Sequence, residues 1–392
     1  MTPPKLERVP AADRFTGTNP VHVLIDCTAI PANRGGVGRY IEGLLGGFGD
    51  EVRLTIAVQE RDRDLGRLAP AADLRVVRGI QRFRPLRLLW EQIGLPLLAR
   101  RVAADVVHSP HYTFPVIGGR RRVVTLHDAT FFSDPGVHSA LKRGFFRFWT
   151  SAAWKRVDAV VLPSAATLSE IERFLGPARA RTVVALHGVD TAVFHPPTEA
   201  ELAELQSTVG IDADRGWIAY LGTIEPRKNI GALLDAYGAL RAELKDTAPE
   251  LLIAGGRGWD AGVLSRLDAG EPGVRALGYL PLELLPALLG GAQVVAYPSL
   301  AEGFGLPVLE AMASGAVVLT TRRLALPEVG GDAVEYSEPD AEAILAALIR
   351  LLSDDGRRAQ LREAALDRAA LLDWSASAHA HLTAYTTTGD SA

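Results

Sequence analysis

Cysteine is almost absent: Cys27 is the only one in 392 residues. One thiol excludes an intramolecular disulfide and a cysteine-rich metal site. Long apolar runs are also missing. No stretch of 18 or more uncharged apolar residues occurs, so no membrane-spanning helix is expected. The first residues, Met1-Thr-Pro-Pro-Lys-Leu-Glu-Arg8, lack the apolar core of a signal peptide, and a cytoplasmic location is the expectation. Two phosphate-binding signatures are absent as well. No Gly-x-Gly-x-x-Gly opens a helix after the first strand, and no Gly-Lys-Ser/Thr follows a glycine loop there.

What is present is a soluble globular composition, 48% hydrophobic and 22% charged, at a length that suggests two domains. The formal net charge of −4 hides an asymmetry. Residues 20–200 carry 24 Lys and Arg against 17 Asp and Glu, whereas residues 201–392 carry 15 against 27. A basic first half and an acidic second half admit two readings, simple drift or different partners for the two halves. On the second reading the first half faces an anionic acceptor or membrane surface.

Short apolar runs alternate with amphipathic stretches throughout. Strands are expected at 21–26, 52–58, 74–77, 105–109, 122–127, 159–163 and 182–186, with helical patterns between several of them. A second series follows at 217–223, 251–254, 274–277, 294–298, 317–321 and 333–336. Such alternation is the mark of βαβ units and parallel sheets. The organisation read from it is a disordered tail over 1–19, a first α/β domain over 20–195, a proline-bearing link over 196–215 and a second α/β domain over 216–372. A C-terminal helix over 373–392 is expected to return to the first domain before a short tail.

The densest functional signal is Ser299-Leu-Ala-Glu-Gly-Phe-Gly-Leu-Pro-Val-Leu-Glu-Ala-Met-Ala-Ser-Gly315. It follows an apolar strand. Gly303, Phe304 and Gly305 form a loop that brings backbone close to a ligand. Leu306 and Pro307 open a helix, a position where proline's missing N–H is harmless. Glu302 sits at the loop's lip and Glu310 about one turn inside the helix. Two carboxylates beside free N–H groups suit a polyol attached to a phosphate.

Other motifs also fall at strand ends. Gly35 and Gly36, within Asn33-Arg-Gly-Gly-Val-Gly38, either bring N–H groups to a phosphate or make a plain tight turn. Gly222-Thr223-Ile-Glu-Pro-Arg227-Lys228-Asn229 precedes a helix that Asn229 is expected to cap. Its two cations read either as a diphosphate site or as a solvated basic turn. His127-Asp128 ends a strand, where a histidine can donate to a substrate hydroxyl or phosphate, or simply be structural. Asp212-Ala-Asp214 has a metal-binding spacing but sits in the link, where a solvated loop accounts for it. The stretches Arg82–Trp90 and Lys142–Trp149 interleave basic and aromatic residues. They suit amphipathic helices packed on a sheet, or a membrane surface or bulky acceptor. No nucleic-acid-binding motif accompanies them.

Taken together, these motifs resemble the retaining glycosyltransferases of family 4, from about Val21 to Tyr385. The carriers are the Glu302-to-Glu310 motif, Gly222–Asn229, Gly35-Gly36, His127-Asp128, His187-Gly-Val-Asp190 and Leu326–Asp332. The family's turn has Asn where this chain has His187. The resemblance implies the GT-B fold, two facing Rossmann-like domains with an interdomain cleft. It implies retaining transfer of a sugar from a nucleotide diphosphate-sugar, with GDP-mannose the nearest donor. The acceptor would be a glycan, a lipid-linked glycan or a small molecule. No metal or other cofactor is expected, no nucleic acid is a partner, and peripheral contact with an anionic membrane is a further expectation. By the same resemblance, Gly36, Arg227 and Lys228 would meet the diphosphate, and Glu302 and the Gly303–Gly305 loop the sugar. Glu310 would meet the ribose, Leu280 the base, and His127 the sugar or a phosphate oxygen. A nicotinamide-dependent oxidoreductase and a non-catalytic sugar-nucleotide binder are the rival classes. The first lacks its glycine signature, and the second does not account for an intact Arg227, Lys228, Glu302 and Glu310.

Overall fold

The computed structural model describes residues 20–30, 34–79, 84–118, 120–133, 139–212 and 215–386. The tail expected at 1–19 lies outside the described residues, as do Asn33, Arg82 and Asp214.

The strands are β1 (Val21–Asp26), β2 (Val52–Gln59), β3 (Asp73–Val77), β4 (Val106–Ser109), β5 (Arg121–Thr125), β6 (Ala159–Leu162), β7 (Arg181–Val184), β8 (Trp217–Leu221), β9 (Glu250–Ala254), β10 (Val274–Gly278), β11 (Val294–Tyr297), β12 (Val318–Thr321) and β13 (Glu335–Ser337). They form two sheets, ordered β3-β2-β1-β4-β5-β6-β7 and β10-β9-β8-β11-β12-β13. Neighbouring strands are parallel in both, for example Val23 beside Leu54 and Val106, and Ile218 beside Leu251 and Val294. The chain is thus α/β with two Rossmann-like domains. In each sheet the order reverses at one point, between β1 and β4 and between β8 and β11. Ligands of open α/β sheets bind beyond the carboxyl ends of the strands at such reversals.

The helices used below are α1 (Gly35–Gly47), α2 (Arg84–Arg101), α3 (Thr130–Ser133), α4 (Ala140–Arg156), α5 (Ala165–Leu175), α6 (Glu199–Val209), α7 (Ile230–Leu244), α8 (Ala261–Ala269), α9 (Leu285–Gly290), α10 (Leu306–Ala313), α11 (Leu326–Gly330), α12 (Ala341–Ser353), α13 (Asp355–Ala369) and α14 (Trp374–Thr386). Both faces of the first sheet are covered, as a parallel sheet requires. Along β1, Val23 and Ile25 point into a core shared with Ile41 and Leu44 of α1 and Leu382 of α14. Leu24 points the other way, toward Leu95 and Ala99 of α2. That opposition is the two-residue period of a strand.

The chain divides into two compact units, with crossings at Gly188–Val189 and Leu371–Leu372. The segment read as a link folds into the second unit. There Thr198 and Glu201 close α6 with a capping box, and Pro197 lies against Gly290. α14 belongs to the first unit and lies along α1. The approach is close enough to require glycine at position 43, where a Cβ would stand 2.0 Å from the Trp374 ring.

A buried chain of hydrogen bonds ties α14 to the first sheet. The carbonyl of Ser377 can only accept, so His381 Nδ1 donates to it at 2.7 Å. His381 Nε2 then accepts from the Tyr40 hydroxyl at 2.8 Å, which in turn accepts from Thr125 Oγ1 at 2.8 Å. Thr125 accepts from His108 Nε2 at 2.9 Å, and His108 Nδ1 accepts from the Tyr385 hydroxyl at 2.8 Å. All the protons run in one direction, and both imidazoles are neutral. Burial lowers His381 to about 4 and takes His108 well below its ordinary value.

Candidate active site

At the β8–β11 reversal, the two loops after these strands meet. The loop after β8 carries Arg227 and Lys228 on a short turn at Pro226–Lys228. The loop after β11 carries Ser299 to Gly305. Backbone stitches them together, with Leu300 N–H donating to the Arg227 carbonyl at 2.8 Å. Between them lies Glu302, 7% exposed. Lys228 Nζ donates to its Oε1 at 2.5 Å, and Arg227 Nη1 to its Oε2 at 3.0 Å. Oε1 also accepts from Tyr297 at 2.9 Å and from Ser299 at 2.7 Å. Lys228 also bonds to the Tyr297 hydroxyl. Arg227 reaches Glu225 through Nε at 2.8 Å and the Ala301 carbonyl through Nη1 at 2.9 Å.

This cluster unites three residues that the resemblance assigned to two roles, Arg227 and Lys228 to the diphosphate and Glu302 to the sugar. Burial works to raise the Glu302 carboxyl, but Lys228 and Arg227 outweigh it and hold the group down to about 2. Burial also lowers Lys228, with Arg227 adding to the effect and Glu302 opposing it. Glu302 thus faces two cations while Glu225 pairs with Arg227 from the other side, so both cations are held in fixed positions at the end of the sheet.

Around the cluster, Gly305 is the residue preceding α10, at φ 111°, and Glu310 is buried within that helix. Phe304 and Leu306 are buried beside it. Gly222 N–H donates to the Ala254 carbonyl at 2.9 Å, so Gly222 and Thr223 follow β8 directly. Leu280 is half-buried after β10, on the same edge of the sheet. Asn229 departs from expectation. It sits at φ 59° and makes no cap, because its side chain turns away to donate to the Pro339 carbonyl at 2.6 Å.

The sequence reading missed Tyr297 and Ser299 as partners of Glu302. Their signal was a tyrosine at the end of an otherwise apolar strand, whose hydroxyl needs a buried partner. It also missed the loop from Gly255 to Trp259 after β9. A Cβ at Gly255, φ 126°, would lie 2.3 Å from the Gly222 carbonyl oxygen. Ile224 N–H donates to Gly256 and accepts, through its carbonyl, from Trp259 N–H at 3.0 Å. The β9 loop therefore holds the backbone that leads into Arg227.

In the first unit, Gly35 and Gly36 are exposed at the start of α1, a 13-residue helix with no side-chain cap. His127 is half-buried, and its Nε2 lies 2.7 Å from the Pro110 carbonyl. A carbonyl only accepts, so Nε2 carries the proton. Burial lowers the ring's pKa, opposed by that same hydrogen bond and by Asp128. In the neutral ring with this tautomer Nδ1 is an acceptor. Asp128 Oδ1 accepts from Thr130 N–H at 3.0 Å and Oγ1 at 2.8 Å, holding the start of α3. The β1–β4 reversal also contains a buried cluster that the sequence did not reveal. Arg87 lies 2.7 Å from Glu91 and 3.9 Å from Asp26. Thr113, after β4, donates to Glu91 at 2.7 Å. Burial, reinforced by Asp26, pushes Glu91 up to about 7 against Arg87 and Thr113. Burial raises Asp26 too.

Of the two readings of the basic-aromatic stretches, packing on the sheet holds for Trp149, which lies against Phe114 in the core, and for Phe146, which stacks on Phe131 at 4.4 Å. Among the described residues, no helix is long and apolar enough to cross a membrane and no group of three His, Cys, Asp or Glu converges for a metal.

Two parallel sheets of this order make a GT-B fold, and solved structures share it. Sucrose-phosphate synthase from Thermosynechococcus elongatus matches with a TM-score of 0.74 at 20% identity, covering 94% of this chain and 98% of that one. Anabaena HepE, solved with UDP and glucose, matches at 0.71 and 16%, covering 93% and 98%. Residues 34–193 match Glycosyltransferase Family 4, and residues 203–368 match Glycosyl transferases group 1. O-antigen chain mannosyltransferase B of Escherichia coli is 34% identical over 276 residues, 69% of this chain and 71% of that protein. D-inositol 3-phosphate glycosyltransferase of Corynebacterium aurimucosum is 28% identical over 295 residues, 70% and 69% respectively. The chain belongs to glycosyltransferase family 4, and it is a glycosyltransferase rather than an oxidoreductase.

Proposed function

We propose that the enzyme moves mannose from GDP-mannose to a glycan, lipid-linked or small-molecule acceptor, with retention of anomeric configuration and without a metal. The observation that carries this reading is the pair of cations, Lys228 and Arg227, that carboxylates hold in fixed positions at the β8–β11 reversal. As the anomeric C–O bond breaks, negative charge grows on the departing diphosphate. Lys228 and Arg227, already fixed by Glu302, are positioned to stabilise that charge with little reorganisation. Oε1 of Glu302 is filled by three donors, so a sugar hydroxyl would donate to Oε2. N–H groups of the Gly303–Gly305 loop and the start of α10 would add to the hold on the sugar and phosphate. Glu310 would accept from the ribose diol, and Leu280 would lie against the base. On the first unit, Gly35 and Gly36 offer N–H groups to an anion, and His127 Nδ1 can accept from a hydroxyl.

Mannose is favoured by the likeness to mannosyltransferase B, whose printed name specifies that sugar. Retention would follow a one-face route in which the leaving phosphate takes the acceptor's proton. The alternative, a carboxylate nucleophile, fits less well because Glu302 is committed to two cations. Turnover on GDP-, UDP- and dTDP-sugars, with and without excess EDTA, tests the whole reading. GDP-mannose should be consumed at an unchanged rate in EDTA, giving an α-configured product by NMR. Loss of activity in EDTA, restored by Mg²⁺ or Mn²⁺, overturns metal independence. Preference for a UDP- or dTDP-sugar overturns the donor.

A further inference from the structure

Arg34 directly precedes α1 and the glycines at its start. An arginine beside a phosphate-binding loop invites the reading that it grips the phosphate itself. Its contacts argue otherwise. Nη1 donates to Glu42 at 2.9 Å and to Asp64 Oδ2 at 2.6 Å, and Nη2 donates to Asp62 at 3.2 Å and to Asp64 Oδ1 at 2.5 Å. These bonds use every N–H of the two terminal nitrogens. The fork is spent inside the protein, on a carboxylate of α1 and on two from the turn at Glu60–Arg67 that follows β2.

That turn is itself fixed. Leu65 is fully buried in the core that α1 shares with the first sheet, and Asp62 is 2% exposed. Two further bonds join this region to the segment after β1. Gln59 Nε2 donates to the Thr28 carbonyl at 2.6 Å, and Arg61 Nη2 to the Ile30 carbonyl at 2.7 Å. Ile30 and Arg34 are thus anchored to one turn. The sequence makes room for the arrangement at Gly38, one turn into α1, where a Cβ would overlap the Cβ of Arg34. Glycine inside a helix is otherwise unfavourable.

From this spent fork and the glycine that accommodates it, we infer that Arg34 is a positioning residue. It clamps the start of α1 to the turn after β2 and so presets the N–H groups of Gly35 and Gly36 for the donor's diphosphate. The inference rests on the reading above that those glycines meet the donor. Exposed ion pairs taken singly contribute little, but one guanidinium shared by three carboxylates is a network with a single geometry. Its contribution is preorganisation. A loop that adopts its binding form only about a tenth of the time has its apparent Kd raised about tenfold.

The experiment uses the full chain with GDP as the probe and UDP alongside. Calorimetry gives nucleotide affinity, hydrogen exchange follows the amides of residues 35–38 with and without nucleotide, and the melting temperature reports the fold. Nucleotide should protect these amides in wild type. Arg34→Gln should raise Kd about tenfold, speed exchange at 35–38 in the free protein and lower donor kcat/KM to match, with the melting temperature near wild type. Arg34→Lys keeps the charge but loses the fork, so it should recover only a small part. Gly38→Ala should copy Arg34→Gln without altering any charge, although alanine is the better helix former. Asp62→Asn with Asp64→Asn discriminates most sharply. A phosphate-gripping Arg34, released from its acids, would bind nucleotide more tightly, whereas a clamp without anchors binds it more weakly. Tighter or unchanged binding in that variant overturns the inference, as does full recovery with Arg34→Lys. Nucleotide protection of 35–38 that persists unchanged in every variant overturns it too, and leaves the donor reading standing. Absence of that protection in wild type refutes the donor contact itself, and the inference with it.

Discussion

The two sheet reversals surround their buried glutamates with different numbers of cations. Between β1 and β4, two carboxylates, Asp26 and Glu91, share one cation, Arg87. Between β8 and β11, Glu302 faces two cations, Arg227 and Lys228, and Glu225 pairs with Arg227 from the other side. The same topology therefore yields a centre that retains a proton, with Glu91 near 7, and a centre that repels one, with Glu302 near 2. Desolvation raises both acids, and the number of neighbouring cations decides the net direction. The end with two fixed cations suits an anionic leaving group. The acid-rich end is neutralised by a proton and by Arg87, and serves first to hold α2 against the loop after β4.

The comparison breaks most visibly if the second centre loses its carboxylate. Glu302→Ala would leave Lys228 buried beside Arg227 without a carboxylate partner. It should cost about 3–5 kcal/mol of stability in chemical denaturation, along with nearly all turnover. Lys228→Met combined with Glu302→Gln removes one charge of each sign and should recover much of that stability while remaining inactive. If the double variant is as unstable as Glu302→Ala, charge balance is not what organises the site.

Next in size is Lys228→Ala, which leaves Glu302 paired with Arg227. Turnover should fall by roughly 10²–10³, as for loss of one preorganised donor to a developing anion, with a smaller change in melting temperature. A rise in KM alone, with turnover preserved, would assign Lys228 to ground-state binding.

The first centre is tested by pH. Glu91 is raised in the folded state, so between about 4.5 and 7 the folded chain holds a proton that the unfolded chain has released. Its contribution to stability therefore declines as pH rises through that window. His381 and His108, lowered in the folded state, act in the opposite sense, their contribution being lost as pH falls from 6.5 toward 4. The informative quantity is the difference between variant and wild type. Glu91→Gln should gain relative to wild type as pH rises from 4.5 to 7, by at most about 1.4 kcal/mol per pH unit. His381→Gln should gain relative to wild type as pH falls from 6.5 to 4. A constant Glu91→Gln difference at every pH would mean that the carboxyl does not hold its proton.

The smallest effect is expected at Tyr385→Phe. It leaves His108 Nδ1 buried without its donor, at a cost of about 1 kcal/mol. Hydrogen exchange should report the loosening in α14 and β4, while turnover stays close to wild type.

Much of this was legible in the chain itself. The strands reveal themselves because a parallel sheet buried on both faces demands continuous β-branched runs, and a two-residue period separates Val23 and Ile25 from Leu24. The loop motifs are legible because glycine, proline and charge cluster where backbone must turn near a ligand, as from Glu302 to Glu310 and from Gly222 to Lys228. Such features are local, and local order is what sequence spacing encodes. Contacts between distant segments were not legible. Nothing in the spacing shows that Lys228 and Arg227 close on Glu302, 74 residues further along, or that Tyr297 and Ser299 complete its hydrogen bonds. Nor does it show that the Pro110 carbonyl fixes the proton of His127, that Asn229 turns toward Pro339, or that Trp149 is core while Leu89, Ile93 and Leu97 are not. Each depends on which segments the two sheets bring together. Burial then sets the cost of every unpaired charge and so decides which groups must meet.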